Sequence, residues 1–306
     1  ITGLWVPYIK WSLLFTLLHN AFLNIGMYGT FKGQEPIAFD AYGLIKHSIA
    51  TLFFLGGDQL IGGFWFIPTL FYASIYSLFM IWCIKTIVDK FTKQDNEHTY
   101  NMLVATGICL FIVLSALITY FSFSISKIGI TNKTFLASAI FLAGHLVAIF
   151  YRKYKENIKN ITEILFICIG LIISTIITIY DPADFGEIHD WYDVIYIWFA
   201  GCLGTWTWVF VSKYISKLGG VINKLLIYIG KNTMIILALH FTCFKLINLL
   251  KIYYYNLDNV VYGSFPIIAN DPSSNNILWW FLYIIAGVFI PIAIKWSYDK
   301  IILTKK

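Results

Sequence analysis

Long apolar runs divide the chain into segments that could each cross a bilayer. A spanning helix needs about 20 mostly apolar residues. Eight runs approach or reach that length: Trp5–Ile25, Phe64–Ile87, Met102–Phe123, Lys133–Tyr151, Ile161–Tyr180, Trp191–Val211, Thr233–Leu250 and Ile277–Trp296. A shorter apolar piece, Ile45–Leu55, precedes two glycines and predicts an interfacial or re-entrant helix. The pattern predicts an all-α, polytopic membrane helix bundle with about eight transmembrane helices in this chain.

Basic side chains alternate between the regions that connect these segments. Four regions are rich in lysine or arginine, whereas the regions between them are poor in base and Asp181–Asp190 contains none. The four sets are Lys85/Lys90/Lys93, Arg152/Lys153/Lys155/Lys159, Lys213/Lys217/Lys224/Lys231 and Lys295/Lys300/Lys305/Lys306. Because base-rich loops stay in the cytoplasm, the alternation predicts that both ends of this chain are cytoplasmic.

The composition supports the same class of protein. Hydrophobic residues make up 59% of the 306 residues and charged residues only 12%, with a mean hydropathy of +0.74. Soluble domains carry about 25% charged residues, so an ordinary soluble domain is excluded. The net charge of +6 is explained by attraction to anionic lipids at the cytoplasmic face. The predicted partner is therefore the lipid bilayer, and no nucleic acid is expected.

One histidine lies near the middle of the seventh predicted span. His240 occurs in the segment GKNTMIILALHF, where a polar cap runs into an apolar helix. An ionisable side chain at that depth is costly unless it faces a polar cavity or a partner. His240 is therefore the leading candidate for a functional residue. The alternative is a neutral histidine that hydrogen-bonds a neighbouring helix.

Three further residues are candidates for binding a substrate. His19 and Asn20 lie in the outer half of the first predicted span and need polar partners. They either line a cavity or form hydrogen bonds between helices. Trp65 follows Gly62-Gly63 at the start of the second span. It either walls a cavity or belongs to the belt of aromatic residues at the membrane interface.

Basic residues near the inner face predict a site for an anion. Arg152 is the only arginine of the chain, and Lys153 follows it. A guanidinium binds phosphate bidentately, although simple anchoring at the cytoplasmic face is an alternative. Lys231 and Asn232 precede the seventh span, where Asn232 or Thr233 is expected to cap the first backbone N–H groups. Such a helix start also favours an anion.

The sequence lacks the common motifs of soluble enzymes, but five of its segments resemble those of a known family and occur in the same order along the chain. The sequence contains no GxGxxG, GxxxxGK[ST], HExxH or GxSxG. The five segments are LWVPYIKWSLLF at Leu4–Phe15, GGFWFIPTLF at Gly62–Phe71, FLAGHLVAIFYRK at Phe141–Lys153, IGKNTMIILALHF at Ile229–Phe241 and ILWWFLYIIAGVFIPIAIKW at Ile277–Trp296. Together they resemble the acyltransferase-3 family of integral membrane O-acyltransferases. The branch that they resemble most is the fucose 4-O-acetylase-like and polysaccharide O-acetyltransferase group.

The resemblance implies a function. Such an enzyme moves an acetyl group from acetyl-CoA to a hydroxyl of a cell-surface sugar or polysaccharide, in the bacterial cytoplasmic membrane, and the resemblance implies no metal. It implies that Arg152, Lys153, Lys231 and Asn232 lie near the acetyl-CoA phosphates. Trp65 would wall the substrate cavity, and His240 would support catalysis by positioning the acyl group or the acceptor.

The chain also departs from the family pattern. Family members have about ten spans, and the first carries an arginine and a histidine that are needed for acyl transfer. This chain begins after those elements, so residues 1–306 are expected to be a single integral membrane acyltransferase domain that is truncated at its N-terminus. Two other functions stay open: a lipid-linked saccharide transporter or flippase, and an inactive scaffold of a glycan-synthesis complex.

Overall fold

The computed structural model describes residues 2–31, 33–91, 96–155, 160–269 and 276–303. Within these ranges the regular structure is helical, with no β-strand. The α-helices are α1 (Thr2–Asn24), α2 (Ala41–Leu52), α3 (Phe66–Phe91), α4 (Asn96–Tyr120), α5 (Asn132–Tyr154), α6 (Asn160–Tyr180), α7 (Trp191–Leu218), α8 (Gly220–Lys231), α9 (Thr233–Tyr255) and α10 (Ile277–Leu303). Short 3₁₀ helices occur at Gln59–Trp65, Ser126–Ile128 and Asn259–Gly263.

The prediction of a polytopic all-α membrane protein is confirmed. Each of the eight predicted spans coincides with a long helix. Among the described residues, seven helices are long and apolar enough to cross a membrane, namely α3 with its preceding 3₁₀ turn, α4 to α7, α9 and α10. The first predicted span forms α1, which is 23 residues long but is not among the seven. Its polar residues Lys10, His19 and Asn20 lower its mean hydropathy.

Two short helices connect longer ones. The predicted interfacial piece forms α2, whose N-cap Asp40 accepts a hydrogen bond from the backbone N–H of Gly43 at 2.7 Å. The second short helix, α8, is not among the predicted elements, because its 12 residues fall in one of the basic connecting regions. The long helices also extend past the apolar runs: α7 ends at Leu218 and α10 at Leu303. Lys93, Lys159, Lys305 and Lys306, which support the predicted orientation, lie outside the described residues.

The predicted cap at the start of α9 is wrong in its chemistry. Asn232 occupies the N-cap position, but its side chain accepts no hydrogen bond from α9. Its amide instead donates to the carbonyl of Tyr228 at 2.8 Å, and the hydroxyl of Thr233 donates to Gly230 at 2.6 Å. Both side chains therefore satisfy carbonyl groups at the C-terminal end of α8. The two side chains are within reach of these carbonyls because only Asn232 separates the end of α8 from the start of α9.

The chain forms two compact units. The first comprises Ile1–Ile67 and Lys224–Lys306, and the second Pro68–Asn223. In the first unit, a core formed from α1, the 3₁₀ helix Gln59–Trp65 and α9 contains Tyr8, Phe15, Leu60, Phe64 and Ala238. The first unit also contains α10, which packs against α9 in a second apolar cluster.

The core of the second unit is built from α3, α4, α5 and α7. Its fully buried residues include Val104, Ala139 and Leu142. The hydroxyl of Ser77 donates to the carbonyl of Ser138 at 3.3 Å. Small residues of this kind let membrane helices approach closely, and their hydroxyls satisfy backbone groups without water.

Candidate functional site

His240 of α9 is held with one ring nitrogen occupied and the other open. Its Nδ1 lies 3.0 Å from the carbonyl oxygen of Leu237 and 3.1 Å from that of Ile236. A carbonyl oxygen only accepts hydrogen bonds, so this network assigns the hydrogen of the neutral ring to Nδ1. Within the described part of the chain, Nε2 forms no hydrogen bond, and its lone pair is available. A histidine in this state can accept a proton or a hydrogen bond from a hydroxyl.

Glycines on two neighbouring elements lie close to His240. A Cβ built on Gly63, in the 3₁₀ helix Gln59–Trp65, would lie 3.0 Å from Cε1 of His240 and 3.0 Å from Cδ1 of Leu237. On α10, a Cβ on Gly287 would lie 2.5 Å from Cε1 of Phe244 and 3.4 Å from Cβ of His240. A side chain at position 287 would therefore collide with Phe244, and one at position 63 would press against the His240 ring. The Gly62-Gly63 pair that marks the start of the second predicted span is what brings that turn against His240.

Aromatic rings surround His240 and continue away from it. The rings of His240 and Phe241 have centroids 3.8 Å apart, and Phe241 meets Phe265 edge-on at 4.7 Å. Phe265 in turn meets Phe31 edge-on at 5.2 Å. The tip of the Phe265 ring lies 2.8 Å from a Cβ built on Gly62. Phe265 belongs to the loop 256–269, so this loop contributes a wall to the surroundings of His240.

A buried lysine, which sequence reasoning missed, holds that loop. Lys245 is 1% exposed, and its Nζ donates to the carbonyl oxygens of Ser264 at 2.8 Å, Gly263 at 3.0 Å and Tyr262 at 3.5 Å. An ammonium carries three N–H donors, which match these three acceptors. Because a charged group inside a membrane segment is costly, three carbonyl partners indicate a specific role for Lys245.

Two more polar residues of α9 complete this attachment. The amide of Asn248 donates to Tyr262 at 3.1 Å and its oxygen accepts from the hydroxyl of Tyr283 at 2.6 Å. Lys251 donates to the carbonyl of Ile268 at 2.8 Å. Lys245, Asn248 and Lys251 recur every three residues, so they lie towards one face of the helix. That spacing within an apolar helix was the signal that could have revealed them.

His19 belongs to a buried ionic cluster in the same unit. Asp58 accepts hydrogen bonds from Nδ1 of His19 at 2.9 Å, from the hydroxyl of Tyr28 at 2.6 Å and from the backbone N–H of Leu60 at 2.9 Å. Nε2 of His19 faces the carbonyl oxygen of Ile37 at 3.1 Å. Both nitrogens thus face acceptors, which makes His19 an imidazolium paired with the Asp58 carboxylate. Burial, together with the Asp58 charge, raises the pKa of Tyr28, so its hydroxyl stays a donor.

Asn20 binds the backbone of the loop that follows α1. Its amide donates to the carbonyl of Phe39 at 2.7 Å, and its oxygen accepts from the N–H of the same residue at 2.8 Å. The ring of Phe39 stacks on His19 with centroids 3.9 Å apart. His19 and Asn20 are consecutive residues of α1, and their polar atoms form hydrogen bonds with other residues of the protein. This arrangement favours hydrogen bonding over the cavity-lining alternative.

Trp65 ends the 3₁₀ helix that packs against His240. The residue is 45% exposed, and its ring meets that of Phe66 edge-on with centroids 5.7 Å apart. Gly63, two residues earlier, is the residue whose backbone lies against His240. The structure therefore places Trp65 on the element that approaches His240, and it leaves the residue partly exposed.

The predicted anion-binding residues fall in different units. Lys231 and Asn232 belong to the first unit, where Lys231 is exposed at the end of α8. Arg152 and Lys153 belong to the second, at the C-terminal end of α5. Nε of Arg152 donates to the carbonyl of Ala148 at 3.1 Å, which leaves its terminal nitrogens exposed. Lys153 is paired with Glu97 at 2.6 Å.

Comparison with known proteins gives one result for almost the whole chain. A family model of the acyltransferase-3 type, described as an acyltransferase domain, matches residues 1–296. Comparison with curated proteins and with solved structures gave no match.

Proposed function

The chain belongs to the acyltransferase-3 family, and from this membership we propose that it is a membrane O-acetyltransferase. In this proposal acetyl-CoA is the donor, and the acceptor is a hydroxyl of a cell-surface sugar or polysaccharide. The enzyme acts in the bacterial cytoplasmic membrane with both ends of this chain in the cytoplasm. Family membership and seven apolar helices support an integral membrane acyltransferase. The donor, the acceptor and the orientation are the proposed parts.

The observation that carries the proposal is the open Nε2 of His240. A hydroxyl is a weak nucleophile near neutral pH, so acyl transfer to a sugar needs a group that orients the hydroxyl and polarises its O–H bond by accepting a hydrogen bond from it. The two backbone carbonyls at Nδ1 set the tautomer of His240 and leave a lone pair on Nε2, and Gly63 lies against the ring. Such a nitrogen is pre-organised to accept a hydrogen bond from the acceptor hydroxyl.

The proposed reaction uses this placement of His240. The acceptor oxygen attacks the carbonyl carbon of the thioester while its hydrogen points to Nε2 of His240. The C–O bond forms, the C–S bond breaks, and the coenzyme A thiolate leaves and takes up the proton that the hydroxyl has lost. The role of His240 is to position the hydroxyl and to polarise its O–H bond. The aromatic rings of Trp65 and Phe265 provide apolar walls for the acceptor.

The donor phosphates are assigned to basic residues at the ends of the helices. Arg152 fits a phosphate best, because its terminal guanidinium nitrogens are exposed and suit bidentate binding. Lys153 contributes charge while it stays paired with Glu97. In the other unit, Lys231 and Asn232 are a separate candidate position: Lys231 is exposed, and the Asn232 amide carries a second N–H besides the one that it donates to the carbonyl of Tyr228.

The experiment is acetyl transfer by the full-length protein in reconstituted vesicles with radiolabelled acetyl-CoA. Total cell glycan and purified sugars serve as acceptors, and vesicles without protein are the blank. Label in glycan, with release of free coenzyme A in equal amount, supports the proposal. Transport of a lipid-linked saccharide without any incorporation of label would instead support the flippase alternative and overturn the proposal.

A further inference from the structure

A cavity of about 410 Å³ lies between α4 and α5. Small-molecule sites have volumes of about 300–1,000 Å³, so the cavity is large enough for a ligand. Asn101 lines it from α4, and Phe150 and Tyr154 line it from the last turns of α5. The ion pair of Glu97 and Lys153 also lines it, and both of these side chains are about half exposed. All of these residues belong to the second unit.

Asn101 is the polar residue of this cavity that the fold does not explain. It lies in α4, which is apolar and long enough to cross a membrane. Its Oδ1 atom is buried and has no hydrogen-bond partner among the described residues. In contrast, Asn248 of α9 uses both ends of its carboxamide within the protein. Because an unpaired polar atom in a membrane span is costly, Asn101 indicates a partner that comes from outside the chain.

The lining of the cavity suits an adenine ring. A carboxamide matches one edge of adenine, because its oxygen accepts a hydrogen bond from the 6-amino group while its nitrogen donates one to N7. The terminal torsion of asparagine is soft, so the carboxamide of Asn101 can turn towards the cavity. Phe150 is 42% exposed and Tyr154 is 46% exposed, and their rings offer aromatic surface on which a base can stack.

The charges beside the cavity favour a ligand that also carries phosphate. Lys153 and Glu97 are paired at 2.6 Å. Arg152 and Lys155 are exposed at the same end of α5, so the basic groups outnumber the single carboxylate. The ammonium of a phospholipid headgroup would have to compete with Lys153 for Glu97, whereas a phosphate meets an excess of positive charge.

We propose that the cavity between α4 and α5 binds the adenine of acetyl-CoA. This inference rests on the proposed function, in which acetyl-CoA is the donor. The carboxamide of Asn101 recognises the 6-amino group and N7 of the base, and Phe150 and Tyr154 stack against its faces. The diphosphate that follows the base in coenzyme A goes to Arg152 and Lys153. Asn101 is therefore the residue that selects adenine over other bases.

The test measures the binding of ADP to the full-length protein in phosphatidylcholine nanodiscs. ADP carries the same base and diphosphate as coenzyme A. IDP is the matched ligand, because it has a carbonyl oxygen in place of the 6-amino group. The variant is Asn101→Leu, which keeps the branched shape of the side chain and should fold, since it removes a polar atom without a partner. The control is Asn160→Leu, which changes an exposed asparagine of α6 in the same unit.

The wild type and the control should bind ADP about tenfold more tightly than IDP, because a bidentate contact to a base discriminates by about that factor or more. Asn101→Leu should bind both nucleotides weakly and equally, with an unfolding midpoint no lower than that of the wild type. Coenzyme A should displace ADP. Equal binding of ADP and IDP by the wild type would overturn the proposal, and so would bound ADP that coenzyme A does not displace.

Acetyl-transfer kinetics separate this inference from the proposed function. The KM for acetyl-CoA should rise about tenfold in Asn101→Leu while kcat changes little. Acetyl transfer with the same KM in the wild type and in Asn101→Leu would overturn the adenine site and leave the acetyltransferase standing. Selective binding of ADP and coenzyme A without any acetyl transfer would support the adenine site and overturn the proposed function. Phosphatidylethanolamine retained by the wild type and lost from Asn101→Leu, with no binding of ADP, would assign the cavity to a lipid headgroup and overturn the proposal.

Discussion

Replacing Lys245 by methionine should release the loop 256–269 from α9. Methionine is likewise unbranched, is one atom shorter, and lacks the three N–H donors. The carbonyl of Tyr262 keeps the amide of Asn248 at 3.1 Å, but the carbonyls of Gly263 and Ser264 lose the donor that lies 3.0 and 2.8 Å away. Two buried acceptors are then left without the partner that satisfied them.

The magnitude follows from those two carbonyls. An unsatisfied buried acceptor costs about 1–3 kcal/mol, which gives about 2–6 kcal/mol for the pair. Part of this is offset, because methionine does not require an ammonium to be removed from water. A net loss of about 2 kcal/mol would raise the population of the detached loop by a factor of about 30. Because Phe265 leaves the surroundings of His240 with the loop, the KM for the acceptor should rise more than kcat falls.

Hydrogen exchange of the amides in residues 259–268, together with acetyl-transfer kinetics, measures both effects. The matched control is Lys10→Met, which changes an exposed lysine of α1 and should alter neither quantity. Loop exchange in Lys245→Met within a factor of two of the wild type would refute this reasoning. An unchanged KM for the acceptor despite a detached loop would refute the role given to Phe265.

Three further predictions test other parts of the structure. Gly63→Ala places a methyl group 3.0 Å from the ring of His240, so acetyl transfer should fall at least tenfold. The control is Gly57→Ala, because a Cβ at position 57 would meet no atom within 4 Å. Equal activity of the two variants would contradict the packing argument. Asp58→Asn breaks the buried ion pair and should lower stability by about 3–5 kcal/mol; a thermal unfolding midpoint equal to that of the wild type would disprove the pairing. Arg152→Lys keeps the charge but removes the planar guanidinium that binds phosphate through two N–H groups, so the KM for acetyl-CoA should rise about tenfold with kcat little changed. An unchanged KM would favour the alternative that Arg152 only anchors the protein at the cytoplasmic face of the membrane.

The helices were predictable because the membrane imposes a simple rule on sequence. Apolar runs of about 20 residues have few alternatives to a helix, and all eight predicted runs form one. The helix α8 escaped prediction because its apolar residues are interrupted by lysine and its length falls short of a span. The pattern that identifies it is the amphipathic one of a surface helix.

The site was predictable only in part. His240 and the Gly62-Gly63 pair were visible in the sequence, since a histidine and paired glycines are conspicuous among apolar residues. The match of Lys245 with three carbonyls of a distant loop was not visible, because it depends on how that loop folds. The expected cap at Asn232 failed for a similar reason, since the preceding helix competes for its side chain.

The central claim is that Nε2 of His240 orients the acceptor hydroxyl in a membrane acyl transfer. The most direct measurement compares radiolabelled acetyl transfer from acetyl-CoA to glycan by the wild type, by His240→Ala and by the control His189→Ala, which changes an exposed loop histidine. The account predicts a loss of about 100-fold or more in His240→Ala, with unchanged folding and full activity in the control. Full acetyl transfer by His240→Ala would contradict it.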